Sequence, residues 1–170
     1  FCLRLAASRS EAEDLLQEAM LRLHRARATY LPGSSALHWA FAIARSAHLD
    51  RLRYRRRRPE DLGTATDAAE QETLPSDERF SPEAQVMARD LGATVTAELA
   101  RMSEKNRAAY VLLKEEGLSV KDAAAVLGTT ATVVRQRAHR AYDQLRTALG
   151  IAGREEEPLD GSWDAAAVRV

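Results

Sequence analysis

Apolar residues in the first part of the chain recur at steps of three and four, the spacing of one buried face of an α-helix. They are Ala12, Leu15, Leu16, Ala19 and Leu23. Ser10 followed by Glu13 has the pattern of a capping box, so we expect a helix to begin there, after a break near residues 7–10. The sequence before this break is already helical in character, and we expect that first helix to begin upstream of Phe1.

A second helix is predicted after residues 32–35, whose sequence Pro-Gly-Ser-Ser interrupts the pattern. It runs from about Ala36 to Arg53 and is apolar on most sides in its first part. The chain then becomes strongly basic up to Arg58, and Pro59 ends the helix.

Residues 60–81 are acidic, rich in small polar residues and without apolar periodicity. Such a segment buries too little surface to offset the entropy of ordering it, which predicts a flexible linker. The helical pattern resumes near Pro82 and continues as one compact unit to Leu149. Its first apolar positions are Val86, Met87, Leu91, Val95 and Leu99.

Residues 103–149 contain start and stop signals for three successive helices. Ser103 is a predicted N-cap, and Gly117 suits the left-handed position that ends the same helix. Ser119, with Asp122 three residues later, starts a second helix that ends at Gly128. A third helix is predicted to begin near Ala131.

The last two of these helices have the spacing of a helix-turn-helix. The small Ala124 allows close approach, Gly128 takes the sharp turn and the branched Val134 fills the gap between the helices. The third helix would bury Val134, Ala138, Ala141 and Leu145. Its opposite face presents side chains that suit phosphates and base edges in DNA: Thr132, Val133, Arg135, Gln136, His139 and Arg140. The alternative is a helical hairpin whose arginines merely solvate a face.

The pattern as a whole predicts an all-α fold with two small helical domains, joined by a flexible acidic linker, the second containing the helix-turn-helix. We predict a first domain at residues 1–58, a linker at 59–83, a second domain at 84–150 and an acidic tail at 151–170. We expect the tail to be disordered, the alternative being a docking peptide that uses Trp163.

Composition changes this picture in one respect, the segregation of charge. The net charge is zero, yet residues 1–58 hold 12 Lys and Arg against 5 Asp and Glu, and residues 59–90 hold 2 against 9. Basic blocks separated by an acidic one are typical of nucleic-acid binding, although two solvated helical surfaces would have the same charges. We expect no membrane span, no cofactor and no metal site, and no constellation of catalytic side chains is visible. The single cysteine, Cys2, fits a reducing cytoplasm.

The first basic block combines a loop, an aromatic residue and an arginine-rich helix end, which together suit unstacked bases and a phosphate backbone. Its members are Trp39, Arg45, Ser46, Arg51 and Arg53, with further arginines up to Arg58. Taken alone, Trp39 is more often a core residue, and an arginine run is more often a solvated helix end.

Three stretches resemble sigma factors of the extracytoplasmic-function type, of the sigma-70 family, in the family's order. Residues 12–26 (AEDLLQEAMLRLHRA) resemble the helix that binds the polymerase clamp, and residues 38–58 (HWAFAIARSAHLDRLRYRRRR) resemble the promoter-melting helix. Residues 118–141 (LSVKDAAAVLGTTATVVRQRAHRA) resemble the helix-turn-helix that reads the upstream promoter element.

The resemblance implies a non-enzymatic factor that binds core RNA polymerase, at the beta-prime clamp and beta flap, and promoter DNA. It implies that Asp14, Gln17 and Glu18 contact the clamp. The loop at 31–37, with Trp39, Arg45 and Ser46, would capture a base of the −10 element. The helix-turn-helix would read the −35 element. An anti-sigma factor would control the protein in the cytoplasm and could hold it at the membrane.

The sequence departs from the family pattern at several positions. Ser46 stands where asparagine is usual, Ser103 replaces a common proline, and Thr132 replaces the usual glycine at the start of the recognition helix. Two other functions stay open. The chain could be a sigma-like module that binds an anti-sigma factor by mimicry, or a conventional helix-turn-helix regulator that binds an operator as a dimer.

Overall fold

The protein is described by a computed structural model that covers residues 1–57 and 81–151. Every regular element in these two stretches is helical, which confirms the predicted all-α fold. The chain divides into two compact units with the boundary after Ser76. The predicted linker lies outside the described residues up to Phe80, and so does the predicted tail from residue 152 onward. The predicted end of the linker at residue 83 was wrong, because Pro82 and Glu83 already belong to a helix, Pro82–Arg101.

The first unit contains three α-helices: α1 (Cys2–Leu5), α2 (Arg9–Ala26) and α3 (Ala36–Arg57). A 3-10 turn, Arg27–Thr29, follows α2. Helix α3 continues past Arg53 through the basic residues to Arg57, the last residue described before the predicted stop at Pro59. Lysine and arginine are good helix formers, so a run of arginines is no reason for a helix to stop.

The N-cap of α2 is Ser8, and the prediction that Ser10 and Glu13 form the capping box was wrong. The Ser8 hydroxyl accepts a hydrogen bond from the Glu11 amide at 3.2 Å, and the Glu11 carboxylate accepts one from the Ala7 amide at 2.8 Å. Ser8 has the extended backbone that an N-cap requires (φ −142°, ψ 165°). A capping box would join the Glu11 carboxylate to the Ser8 amide, whereas here it accepts from the preceding amide, of Ala7, so the cap is a variant of the predicted device two residues earlier.

The core of the first unit forms where α2 packs against α1 and α3. It comprises Leu5, Ala12, Leu15, Ala19, Phe41, Ala44 and Ala47. Leu16, which the sequence placed on the buried face, is 51% exposed. Neighbouring residues on an α-helix point about 100° apart, so burial of Leu15 against α3 turns Leu16 to the surface.

An arginine on α2 joins the two long helices of the first unit. Arg22 Nε lies 2.7 Å from Glu18 Oε1 on its own helix, and Arg22 Nη1 lies 2.6 Å from Asp50 Oδ2 on α3. The hydrogen bond from Arg22 lowers the pKa of Asp50 and that of Glu18, and the two carboxylates raise the pKa of Arg22. All three groups are therefore charged at neutral pH.

Glu11 makes a second connection between α2 and α3. Its backbone carbonyl accepts a hydrogen bond from Arg51 Nη1 at 3.3 Å, and its carboxylate forms an ion pair with Arg55. Two arginines of the basic end of α3 are thus held against the start of α2.

The second unit consists of α4 (Pro82–Arg101), α5 (Glu104–Tyr110), α6 (Val120–Leu127) and α7 (Ala131–Ala148). A π-helical turn, Val111–Glu115, extends α5. The predicted caps are confirmed. The side chain of Ser103 accepts a hydrogen bond from the Asn106 amide in the first turn of α5, and that of Ser119 accepts one from the Asp122 amide in the first turn of α6. Gly117 (φ +67°) and Gly128 (φ +60°) end their helices in the left-handed region, as expected.

The core of the second unit forms among α5, α6, α7 and the C-terminal half of α4. Its fully enclosed members include Leu99, Ala108, Ala109, Val111, Leu112, Ala123, Val134 and Ala141. The prediction that Val86, Met87 and Leu91 share the apolar face of α4 was right about the spacing but wrong about burial, because these side chains are 53–74% exposed. Only from Val95 onward does α4 pack against the core formed with α7.

Two leucine-to-alanine substitutions can measure the difference in burial between the core leucines and the exposed apolar residues at the start of α4. Leu112→Ala empties a fully buried site and should lower the stability of the second unit by about 2–5 kcal/mol. Leu91→Ala, the matched control, removes the same atoms from an exposed site and should change stability by less than about 0.5 kcal/mol. Hydrogen–deuterium exchange of α5–α7 peptides in the full chain measures both. Equal effects would contradict the described burial.

A pH series on Asp50→Asn tests the connection through Arg22. Because the folded protein lowers the pKa of Asp50, its ionised form stabilises the fold above the unfolded pKa of about 3.9, and this contribution is lost as pH falls through the folded value. The wild type should therefore be more stable than the variant at pH 7, and the difference should begin to shrink near pH 4, at about the unfolded pKa, and disappear only below the lowered folded pKa of Asp50. Chemical unfolding followed by exchange in α2 and α3 measures it. A difference independent of pH would mean that packing, and not charge, is lost.

Candidate nucleic-acid interface

The exposed side of α7 carries most of the residues predicted to read DNA. The helix begins at Thr130, whose hydroxyl accepts a hydrogen bond from the Val133 amide at 3.3 Å. It buries Val134, Ala141 and Leu145 against the rest of the unit, with Ala138 half-buried. Exposed on the other side are Thr132, Arg135, Gln136, His139 and Arg140, and Val133 is half-buried beside them.

The turn between α6 and α7 fixes the direction of this exposed side. Ala124 is 7% exposed and Val134 is fully buried, as the helix-turn-helix spacing predicted. Gly128 takes the left-handed turn, and the next amide, of Thr129, returns a hydrogen bond to the Ala124 carbonyl at 3.0 Å. Because one side of α7 is committed to the core, the side with the basic and amide groups faces solvent.

One residue near this interface was missed by the sequence analysis. Asp143 Oδ2 lies 2.8 Å from Nδ1 of His139, one helical turn away. The contact requires a proton on Nδ1, so Nε2 is the nitrogen with which His139 can contact a base or phosphate. The spacing of four residues between the two was the available signal.

Three residues of the first basic block share one side of α3. Trp39, Ser46 and Arg53 are seven residues apart in turn, and a helix rotates by only about 20° over each such interval. Trp39 is half-buried, and its ring centroid lies 5.3 Å from that of Tyr30. Ser46 and Arg53 are exposed, and Arg53 forms an ion pair with Asp50 at 2.9 Å.

The structure does not bring the other two residues of the −10 prediction to this side. Arg45 is half-buried, and it precedes Ser46 by one position and so points elsewhere around the helix. Arg51 is also half-buried, and it binds the Glu11 carbonyl. Arg56 and Arg57 are exposed at the end of α3 and extend its positive charge.

The predicted polymerase contacts lie on the outer side of α2. Asp14 and Gln17 are exposed, whereas Glu18 is half-buried and held by Arg22. Helix α2 also exposes three large apolar residues that the sequence analysis did not assign to a binding surface: Leu16, Met20 and Leu21, each more than half exposed. A surface of carboxylate, amide and exposed apolar groups has the composition of a protein-binding patch.

The described residues contain neither a membrane-spanning helix nor a cluster of metal ligands. No helix within residues 1–57 and 81–151 is long and apolar enough to cross a membrane. In the same stretches no cluster of three His, Cys, Asp or Glu side chains has the arrangement of a metal site.

Both units match families of known domains. Residues 1–58 match Sigma-70 region 2, and residues 93–145 match Sigma-70, region 4. These two matched segments contain α1–α3 and the helix-turn-helix, respectively.

Whole-chain relatives agree with these matches. The RNA polymerase sigma factor CarQ of Myxococcus xanthus is 34% identical over 155 residues, which cover 88% of this chain and 81% of that protein. The ECF RNA polymerase sigma factor SigC of Mycobacterium tuberculosis is 35% identical over 150 residues, covering 88% of this chain and 74% of that protein.

A solved structure supports the fold. It is the sigma factor RpoE from Bartonella quintana, crystallised in complex with the anti-sigma factor NepR. It superposes with a TM-score of 0.68 at 24% identity, over 89% of each chain. The sequence matches and the similarity of fold together show that the chain belongs to the extracytoplasmic-function sigma factors of the sigma-70 family.

Proposed function

We propose that this chain binds core RNA polymerase and directs it to promoters by using three separate surfaces. A first domain at residues 1–58 would contact the beta-prime clamp and the −10 element. A second domain at 84–150 would contact the beta flap and the −35 element. The linker and the tail would act as a tether and an extension. The observation that carries the proposal is the exposed face of α7, in a chain whose two units match sigma regions 2 and 4.

The −35 surface is the exposed side of α7. Arginine can bind guanine with two hydrogen bonds and glutamine can bind adenine in the same way, so Arg135 and Gln136 are suited to direct contact with bases. Their position in the first two turns of α7 is where recognition helices of this kind approach the major groove. His139 and Arg140, one turn later, lie near enough to contact bases or phosphates.

The −10 surface combines the loop at 31–37 with the side of α3 that carries Trp39, Ser46 and Arg53. The loop is exposed throughout, and its apolar Leu31 and Leu37 are 74% and 57% exposed. Unstacked bases bind to aromatic and apolar surfaces next to positive charge. Arg45 and Arg51 contribute charge to this domain from more buried positions.

The polymerase surface is the outer side of α2. Asp14 and Gln17 supply polar contacts, and Leu16, Met20 and Leu21 supply apolar area, each being more than half exposed in the described structure. Glu18 contributes its charge through the pair with Arg22.

We further propose that an anti-sigma factor controls this protein in the cytoplasm, where its polymerase and promoters are. The structural relative was crystallised with an anti-sigma factor. A membrane-bound anti-sigma factor would hold the chain at the membrane until a stress signal releases it.

Run-off transcription with core polymerase and genomic DNA fragments tests the proposal directly. The full chain should produce discrete transcripts that core polymerase alone does not. A chain that footprints a palindromic operator without polymerase would instead be a conventional regulator. A chain that binds an anti-sigma factor but neither polymerase nor DNA would be a mimic, which the exposed Arg135 and Arg140 argue against.

Arg135→Ala should weaken holoenzyme binding to the promoter by about 1–3 kcal/mol if Arg135 reads a base. The loss should then be confined to promoters with the preferred base at one −35 position. Fluorescence anisotropy with a panel of −35 duplexes measures it. Arg89→Ala, which removes an exposed arginine from α4, is the control and should have little effect. A uniform loss across all sequences would identify Arg135 as a phosphate contact.

Met20→Lys should weaken core polymerase binding by about tenfold, because it places a charge within the apolar part of the α2 surface. Leu3→Lys places the same charge at an exposed leucine of α1 and serves as the control. Competition between the labelled wild type and each variant for core polymerase gives the affinities. Equal affinities for the two variants would place the clamp contact elsewhere.

A further inference from the structure

Tyr30 immediately precedes the loop that the proposed function assigns to the −10 element, and it contacts both that loop, at Ser34, and the helix that follows it, at Trp39. Its ring packs against Trp39 in the first turns of α3, with the ring planes inclined by 51°. Its hydroxyl donates a hydrogen bond to the Ser34 backbone carbonyl at 2.5 Å. The resemblance to known sigma factors assigned no role to this residue.

The loop between these contacts is a tight turn. The Ser34 amide donates to the Leu31 carbonyl at 3.1 Å, and Gly33 has a φ of +91°. Proline at the second position and a left-handed glycine at the third are the signature of a type II turn. The Ser34 hydroxyl donates to the same Leu31 carbonyl at 2.7 Å.

The turn leads directly into α3. The Ser35 hydroxyl accepts a hydrogen bond from the His38 amide at 3.3 Å, and the Ser35 carbonyl accepts one from the Trp39 amide at 3.1 Å. Ser35 therefore acts as the N-cap of the helix. Ser34 directly precedes this N-cap. The hydrogen bond from Tyr30 to the Ser34 carbonyl therefore acts at the point where the turn joins the helix that carries Trp39.

Local bonds define the shape of the turn but not its position against the rest of the domain. Residues 31–35, which precede α3, are all exposed, so packing contributes little to holding them. In the described structure, the hydroxyl of Tyr30 bonds to the turn while its ring contacts Trp39, so one side chain sets the distance between the turn and the aromatic residue.

We infer that Tyr30 is a positioning residue for −10 recognition, which holds the 31–37 loop and Trp39 in the arrangement that receives an unstacked base. This inference rests on the proposed function of the loop. Holding the loop before DNA arrives lowers the entropy lost on binding. It also keeps the exposed Leu31 at a fixed distance from the Trp39 ring, which allows one base to be preferred over another.

Tyr30→Phe is the sharpest test, since it keeps the ring next to Trp39 and removes only the hydroxyl. The probe is a fork-junction DNA whose single-stranded −10 segment is randomised, and the strands retained by holoenzyme are sequenced. Tyr30→Phe should reduce the preference for the best −10 base about three- to tenfold, the value of one lost hydrogen bond. Tyr30→Leu, which also removes the ring contact, should reduce it further.

Three controls separate positioning from a general loss of structure. Thermal unfolding, affinity for core polymerase and binding to −35 duplexes should be unchanged in Tyr30→Phe. Tyr142→Phe, which removes the same hydroxyl from an exposed tyrosine of the second unit, should keep the wild-type base preference. A Tyr30→Phe variant with lower polymerase affinity or lower thermal stability in proportion to its lost preference would show a merely structural role and overturn the inference.

Trp39→Ala distinguishes failure of this inference from failure of the proposed function. If Trp39→Ala abolishes the base preference and Tyr30→Phe leaves it intact, the loop captures a base but Tyr30 does not position it. If the wild type itself shows no −10 preference, both the proposed surface and the role of Tyr30 are wrong. Loss of preference in both variants supports the inference.

Discussion

The structure of the second unit depends on the close approach of helices through small side chains. Aromatic residues make up only 5% of the chain, so large rings cannot fill the interior. Ala108, Ala109, Ala123 and Ala141 are instead fully buried. Side chains this short allow neighbouring helices to pack closely at these positions. Close packing leaves little freedom for one helix to rotate against another. The rotation of α7 is fixed in this way, and with it the side that is proposed to contact DNA.

The parts of the fold that the sequence predicted correctly are those set by local chemistry. Ser103, Ser119 and Gly128 cap their helices through bonds within a few residues, so their role can be identified without knowledge of tertiary contacts. Apolar spacing was less informative, because it shows which side of a helix is apolar but not whether another helix covers it. The exposed Met87 and Leu16 both continue a valid helical pattern, and only the packing of the unit shows that they lie at its surface.

The arginines of α3 show a second limit of sequence analysis. Residues 1–58 carry a large positive charge, and the sequence treats each arginine of the run as equally available to DNA. In the folded domain Arg51 and Arg55 bind Glu11, more than forty positions before Arg55. Arginine side chains are long enough to reach carboxylates on a neighbouring helix, and composition cannot show which ones do. The structure therefore leaves a smaller and more directed DNA-binding surface than the charge count suggested.

Four other charged residues of the first unit form one continuous series between the two proposed binding surfaces. Glu18 on the polymerase side of α2 pairs with Arg22, Arg22 pairs with Asp50, and Asp50 pairs with Arg53 on the DNA side of α3. A phosphate that binds Arg53 takes it from Asp50, but Asp50 keeps Arg22 as its partner. The connection between α2 and α3 is therefore preserved when DNA binds. Pairs as exposed as these contribute little to stability singly. Their value lies in geometry, because Asp50, which lies between Arg22 and Arg53, fixes the position of both.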